Sequence, residues 1–174
     1  MIISNLTVCV LGDSIENKAV TSLISEQNGP CYLRLGKAGE PIVHQNELEI
    51  GIGKMLAVIE GKGTAILSTG AMLKYSYDYL MDNKLNWGLY SFPFIKPLDS
   101  DGLKMIADNY EKIIIIEVHQ KSGGFGSTIL EGYNELETKF KFERPKIRRI
   151  AINDLFIDVA GSQKMLRELA CLNL

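Results

Sequence analysis

The stretch Ile113-Ile114-Ile115-Ile116-Glu117-Val118-His119, followed by Gly123-Gly124-Phe125-Gly126-Ser127, decides the fold. Four β-branched residues in a row, with no polar alternation, describe a strand covered on both faces. Such a strand belongs in the middle of a mostly parallel sheet. The glycine cluster after it predicts a turn that opens a helix, from about Ser127 to Leu136, with Ser127 as its N-cap.

Working outward, strand-like and helix-like patterns alternate. Leu6 to Leu11 reads as a strand ended by Gly12. Asp13 is placed to cap a helix, with Glu16 completing a capping-box-like pattern and Ile15, Ala19 and Leu23 forming its apolar stripe. Asn28-Gly29-Pro30 stops that helix, and Cys31 to Leu35 reads as a second strand. Residues 37–54 hold Gly39, Pro41, Gly51 and Gly53 and predict a linker, with His44 in solvent.

The pattern then restarts. Thr64 to Ser68 is strand-like, and Ala71 to Met81 is helical, with Leu73, Tyr77 and Leu80 on one side. Trp87 to Phe92 is a strand that runs into a corner bracketed by Pro93 and Pro97. Asp99 or Ser100 caps a helix carrying Leu103, Ile106, Ala107 and Tyr110. Lys146 to Ile152 is a last strand, and Gln163 to Leu172 a closing helix with Met165, Leu169 and Leu172 on one face. The repeated order predicts an α/β fold, a three-layer α/β/α domain over residues 55–174, preceded by a strand-helix-strand unit over 1–36 and a linker over 37–54. A lone strand-helix-strand unit cannot bury both faces, so 1–36 should expose apolar surface unless a partner chain or second copy covers it.

Composition narrows the function classes. A net charge of -2 over 174 residues gives no electrostatic reason to expect nucleic acid or an acidic membrane as partner. The cluster Lys139, Lys141, Arg144, Lys146, Arg148 and Arg149 reads as a solvated loop and strand edge. Cys9, Cys31 and Cys171 are isolated, which argues against a disulfide framework or zinc site and reads as small core residues in a reducing compartment. No segment has the length and apolarity of a membrane span, and the expected location is cytoplasmic.

Three groups of residues carry possible chemistry. Gly123, Gly124, Gly126 and Ser127 could hold an anion on backbone N–H groups, or form only a tight strand-to-helix turn. Glu117 and His119 leave one strand two residues apart and share a face; they suit acid–base work or the anchoring of a polar loop. Arg34 and Lys37 lie at a strand's carboxyl end, where open α/β sheets place ligands. They suit a phosphate or carboxylate, or a salt bridge across an interface.

The order of several short motifs is similar to the C-terminal third of the transketolase family, including the 1-deoxy-xylulose-5-phosphate synthases. Asn5-Leu-Thr-Val8, Gly12-Asp13, Gly29-Pro30 and Tyr32-Leu-Arg-Leu-Gly-Lys37 resemble the end of the family's pyrimidine-binding domain. Gly53-Lys54, Glu60-Gly61, Ala65-Ile-Leu-Ser-Thr-Gly70, Phe94-Ile-Lys-Pro-Leu-Asp99, Glu117-Val-His119, Gly123-Gly-Phe-Gly-Ser127, Asn153-Asp-Leu-Phe156 and Gly161-Ser-Gln163 resemble its C-terminal domain.

The resemblance implies a five-stranded, mostly parallel mixed sheet between helices. It also implies two-carbon ketol transfer between sugar phosphates, with thiamine diphosphate and Mg2+ in the complete enzyme. The family grips that cofactor with a Gly-Asp-Gly…Asn segment and a glutamate, neither of which can be placed here. No cofactor is therefore expected on this chain alone, and no catalytic or metal-ligating residue is assigned to it. The family's enzymes are dimers, so the resemblance gives this chain a role in domain packing and dimer formation, with an N-terminal transketolase subunit or further domains as partner, within a homo-oligomer. Lys37 stands where the family usually has an arginine near the sugar phosphate; lysine keeps the charge but loses the bidentate fork. Val118 and Ala151-Ile152 also depart from the family's commoner residues. A second reading is a non-catalytic interaction or small-anion-binding module on the same fold.

Overall fold

The structure is a computed structural model that describes residues 3–37, 39–156 and 158–174. In chain order its elements are β1 (Thr7–Val10), α1 (Ser14–Ser25), β2 (Cys31–Arg34), β3 (Leu56–Ile59), β4 (Gly63–Ser68), α2 (Met72–Asp82), β5 (Gly88–Ser91), β6 (Phe94–Lys96), α3 (Ser100–Asn109), β7 (Tyr110–Gln120), α4 (Phe125–Lys139), β8 (Lys146–Ile152) and α5 (Gln163–Leu169). The main sheet has the order β3-β5-β4-β7-β8. Its pairs are parallel except β3 with β5.

The four isoleucines occupy the centre of this sheet, and their alternation builds two cores. Ile113 and Ile115 pack with Leu103 and Ile106 of α3 and with Ile129, Tyr133 and Leu136 of α4. Ile114 and Ile116 pack on the other face with Met72, Leu73 and Leu80 of α2. Both faces are covered by helices, as the unalternating run requires. Each isoleucine buried this completely contributes about 1.5–3 kcal/mol of transfer free energy.

A second sheet, β2-β1-β6, joins the first 36 residues to the rest. β1 pairs parallel with β2 and antiparallel with β6, and Val10 N–H donates to Pro93 O at 2.9 Å. Thr69 Oγ1, just beyond β4, lies within 3.1 Å of Val10 O and 3.0 Å of Phe92 O. Cys9, Leu11, Val20 and Phe94 form a small core at this junction. β2 is the outer strand; Tyr32 in it and Leu35, one residue beyond it, are each 53% exposed.

Several expectations are corrected. The proline-bracketed corner contains a strand, β6, because its partner β1 lies 85 residues upstream and three residues offer no periodicity. β3, a half-buried edge strand, gives no alternation and was not foreseen. In α1 the buried residues are Glu16 and Val20, rotated one position from the expected stripe. α4 starts at Phe125 with Gly124 as N-cap, so Ser127 lies inside its first turn. In α5, Met165 and Leu169 face solvent, while Ala170 and Leu172, just beyond it, are buried. Cys9 is a core residue, but Cys31 and Cys171 are exposed.

Candidate functional site

Glu117 is fully buried at the end of β7 and aims its carboxylate at the start of α4. Oε2 accepts from Phe125 N–H at 2.5 Å and Oε1 from Gly126 N–H at 2.8 Å. The anion held by the glycine loop's N–H groups is therefore the chain's own carboxylate, where the helix dipole favours negative charge. A Cβ at Gly124 or Gly126 would collide with Glu117, and at Gly126 with Arg149 too, which explains these two glycines by close approach. Gly123 has φ +74° and makes the turn. Ser127 Oγ accepts from Gly123 N–H at 3.0 Å and donates to Lys121 O at 3.1 Å, closing the loop on itself.

Arg149 was expected in a solvated basic run. Instead its guanidinium turns inward, 3.6 Å from Glu117 Oε1, and donates to Lys121 O. Strand position hides this, since Arg148 and Arg149 point to opposite faces of β8.

The fold brings together two residues that lie 85 apart in sequence. Arg34 Nη1 donates to His119 Nε2 at 2.5 Å. A guanidinium only donates, so Nε2 accepts and the ring proton sits on Nδ1, 3.4 Å from Glu117 Oε2. Arg34, His119, Gly123 and Gly124 line a shallow depression of about 360 Å3. Lys37 stands apart from this network. It lines one cleft of about 370 Å3 toward Ile152 and Arg167, and another of about 520 Å3 toward the start of α1.

A second carboxylate–histidine cluster escaped the sequence reading. His44 is buried, contrary to the expectation of solvent. Asp13 Oδ1 caps α1 by accepting from Ile15 N–H and Glu16 N–H at 3.0 and 2.9 Å. Its Oδ2 accepts from the N–H groups of Val43 and His44 at 2.9 Å each, and from His44 Nδ1 at 3.0 Å. Glu16 reaches Gly12 N–H at 2.6 Å, one residue before the N-cap, so the capping box is displaced. Glu16 Oε1 and His44 Nε2 are buried without hydrogen bonds and lie 3.9 Å apart.

Burial favours the neutral form of Asp13, but the hydrogen bonds from His44, Glu16 and Val43 outweigh it and hold its carboxyl below the usual range. Burial is the dominant influence on Glu16 and raises its pKa. Burial also opposes charge on His44, yet the hydrogen bond to Asp13 and the field of Glu16 overcome it, so its pKa is raised. The sequence signals for this cluster are Asp13 as a cap and Glu16 in its capping-box pattern; nothing local marks the burial of His44, 31 residues from Asp13.

The chain is similar to known proteins over most of its length. The sequence model of the family described as transketolase, C-terminal domain, matches residues 53–173. The chain belongs to the transketolase C-terminal domain family. A 1-deoxy-D-xylulose-5-phosphate synthase from Thermus thermophilus is 30% identical over 157 residues, covering 90% of this chain and 24% of that protein. A putative transketolase C-terminal section from Methanocaldococcus jannaschii is 29% identical, covering 88% of this chain and 48% of that protein. A solved structure described as a split gene transketolase, inactive β4 tetramer, superposes with a TM-score of 0.83 at 24% identity, covering 98% of this chain and 54% of that one. The chain thus spans between a quarter and about half of the length of these relatives.

In this transketolase C-terminal domain and its leading unit, two helix starts are closed to a diphosphate. The starts of α1 and α4 are filled by Asp13 and Glu117. Among the described residues no group of three His, Cys, Asp or Glu side chains converges on a metal position. No described helix is long and apolar enough to cross a membrane.

Proposed function

We propose that the chain serves as the C-terminal part of a transketolase-like enzyme that moves a two-carbon ketol unit between sugar phosphates. An N-terminal subunit, or further domains, would hold thiamine diphosphate and Mg2+ and perform the reaction. This chain would contribute domain packing and subunit contact, within a cytoplasmic homo-oligomer, and a phosphate contact from Lys37 with Arg34 beside it.

One observation carries the reading: the family's C-terminal domain model matches residues 53–173, while the starts of α1 and α4 already hold the chain's own carboxylates. The exposed Tyr32 on the outer strand β2 and Leu35 just beyond it support a covering partner. Lys37, whose ammonium forms no ion pair among the described residues, is free to meet a phosphate.

The test is reconstitution. The chain is mixed with an N-terminal transketolase subunit, thiamine diphosphate and Mg2+, and transfer from a ketose phosphate to an aldose phosphate is followed. Turnover is expected only with the subunit present, and Lys37→Gln should raise KM for the sugar phosphate about tenfold with a smaller change in kcat. Micromolar binding of thiamine diphosphate to the lone chain by calorimetry would sink the reading.

A further inference from the structure

We propose that the groove between α1 and residues 47–50 is a docking site for a basic amphipathic helix of another protein chain. The sequence places Ile15, Ala19 and Leu23 at i, i+4 and i+8, the spacing of a stripe that faces a core. The fold buries Val20 instead, with Cys9, Leu11 and Phe94, and leaves the three stripe residues half-buried. An apolar stripe is therefore made and then only partly covered.

What lies beside the stripe turns it into a groove. Residues 47–50 run along α1, and Leu48 and Ile50, also half-buried, line the opposite wall. The space between measures about 450 Å3. From Ile15 to Leu23 the floor follows α1 for about 12 Å, a little over two helical turns. A helix laid along it would set anchors at i, i+4 and i+7 against a floor of similar pitch.

Charge sets the sign of the partner. Glu26, Glu47 and Glu49 stand around the groove against Lys18 alone, and Lys18 is already paired with Glu47. Among the described residues Glu26 and Glu49 form no ion pair. Glu26 is the C-cap of α1, whose last turn carries no basic residue, so the negative end of the helix dipole adds to its charge. An apolar floor with two free acids beside it favours leucine-like anchors flanked by lysine or arginine, and repels an acidic helix. Helices α1 to α4 of a second copy each carry at least as many acids as bases, which makes them poor occupants.

The groove belongs to the leading unit and needs no reacting atom nearby, so it does not rest on ketol transfer.

The experiment titrates the full chain with two synthetic helices of about 18 residues, long enough to hold helical structure. One carries leucines on one face and lysines on the other; in the second, glutamates replace the lysines. Calorimetry and amide NMR shifts at Ile15, Ala19 and Leu23 read the binding. The lysine helix should bind with a Kd below about 100 μM, more weakly as salt rises, and the glutamate helix should not. Leu23→Lys should weaken binding about tenfold or more, by removing floor and adding like charge. Glu26→Gln with Glu49→Gln, on exposed residues, should weaken it about threefold or more, and decides the matter if Leu23→Lys does not fold. Glu131→Gln with Glu135→Gln, on exposed positions of α4, should leave affinity unchanged. Equal binding of both helices, an equal loss in the α4 variant, or unchanged affinity in the folded groove variants would overturn the site. Self-association of the chain that Leu23→Lys abolishes would overturn the choice of partner. Reconstituted turnover and this titration can fail separately, so each reading stands or falls alone.

Discussion

Two carboxylate–histidine pairs sit in this molecule, and they use the same groups in opposite ways. Glu117 has backbone N–H groups on both oxygens and a guanidinium nearby, and its histidine is partly exposed and bonded to Arg34. Asp13 is equally well served, but its neighbour Glu16 keeps one oxygen without a hydrogen bond beside an unpartnered His44 Nε2. The β7 pair fastens one strand to the next helix. The Asp13 cluster fastens a remote loop to α1, and leaves a buried charge balance that depends on protonation. A carboxylate beside a histidine is thus no mark of catalysis by itself; what surrounds each oxygen decides its role.

The sharpest way to break this comparison is Glu117→Ala. It frees two N–H groups at the α4 start and leaves Arg149 without its carboxylate, so we expect a loss of about 3–5 kcal/mol in urea unfolding. A loss under about 1 kcal/mol would show that the loop is held by Ser127 and the turn alone. Asp13→Ala comes next. It removes the α1 cap and the acceptor for two loop amides, for an expected loss of about 2–3 kcal/mol and faster hydrogen exchange at Val43 and His44.

A smaller effect is a pH slope. The folded pKa of His44 lies above its ordinary value of 6.5. Its contribution is therefore complete below about pH 6.5 and is lost as pH rises through the folded value. Glu16, raised from 4.5, acts in the same direction, its contribution being lost as pH rises from 4.5 through its folded value. Asp13 acts oppositely: its contribution is present above 3.8 and fades as pH falls further. We expect wild-type urea midpoints to be lower at pH 8.5 than at pH 6, and His44→Asn, whose amide can replace Nδ1–H, to flatten that difference. An unchanged slope would remove the protonation role. The smallest effect belongs to His119→Gln, about 0.5 kcal/mol or less, because the pair it breaks is partly exposed.

What was legible follows from what each signal depends on. The central strand, the α2 and α3 helices and the turn at Gly123 were readable because burial on two faces, helical spacing and glycine leave local marks. β6 was not, because a three-residue strand has no period and its partner was β1. Arg149 was hidden in a basic run, and only the pleat of β8 turned it inward while Arg148 faced away. The join of Arg34 with His119 needed both sheets in place, although each residue had been singled out. His44 lay in a glycine-rich segment that looked solvated, and only the docking of that segment on Asp13 buried it.

The sequence by itself determined the family, the three-layer α/β arrangement and the residues at the strand ends, because these rest on hydrophobic period, turn chemistry and motif order along the chain. Tertiary structure alone decided which of those residues meet. Hydrogen bonds that close Glu117 on its own loop, bury His44 on Asp13 and leave Arg34, Lys37 and Arg167 around one crevice join positions tens of residues apart. Their energies depend on distance and burial, and neither is written in local order.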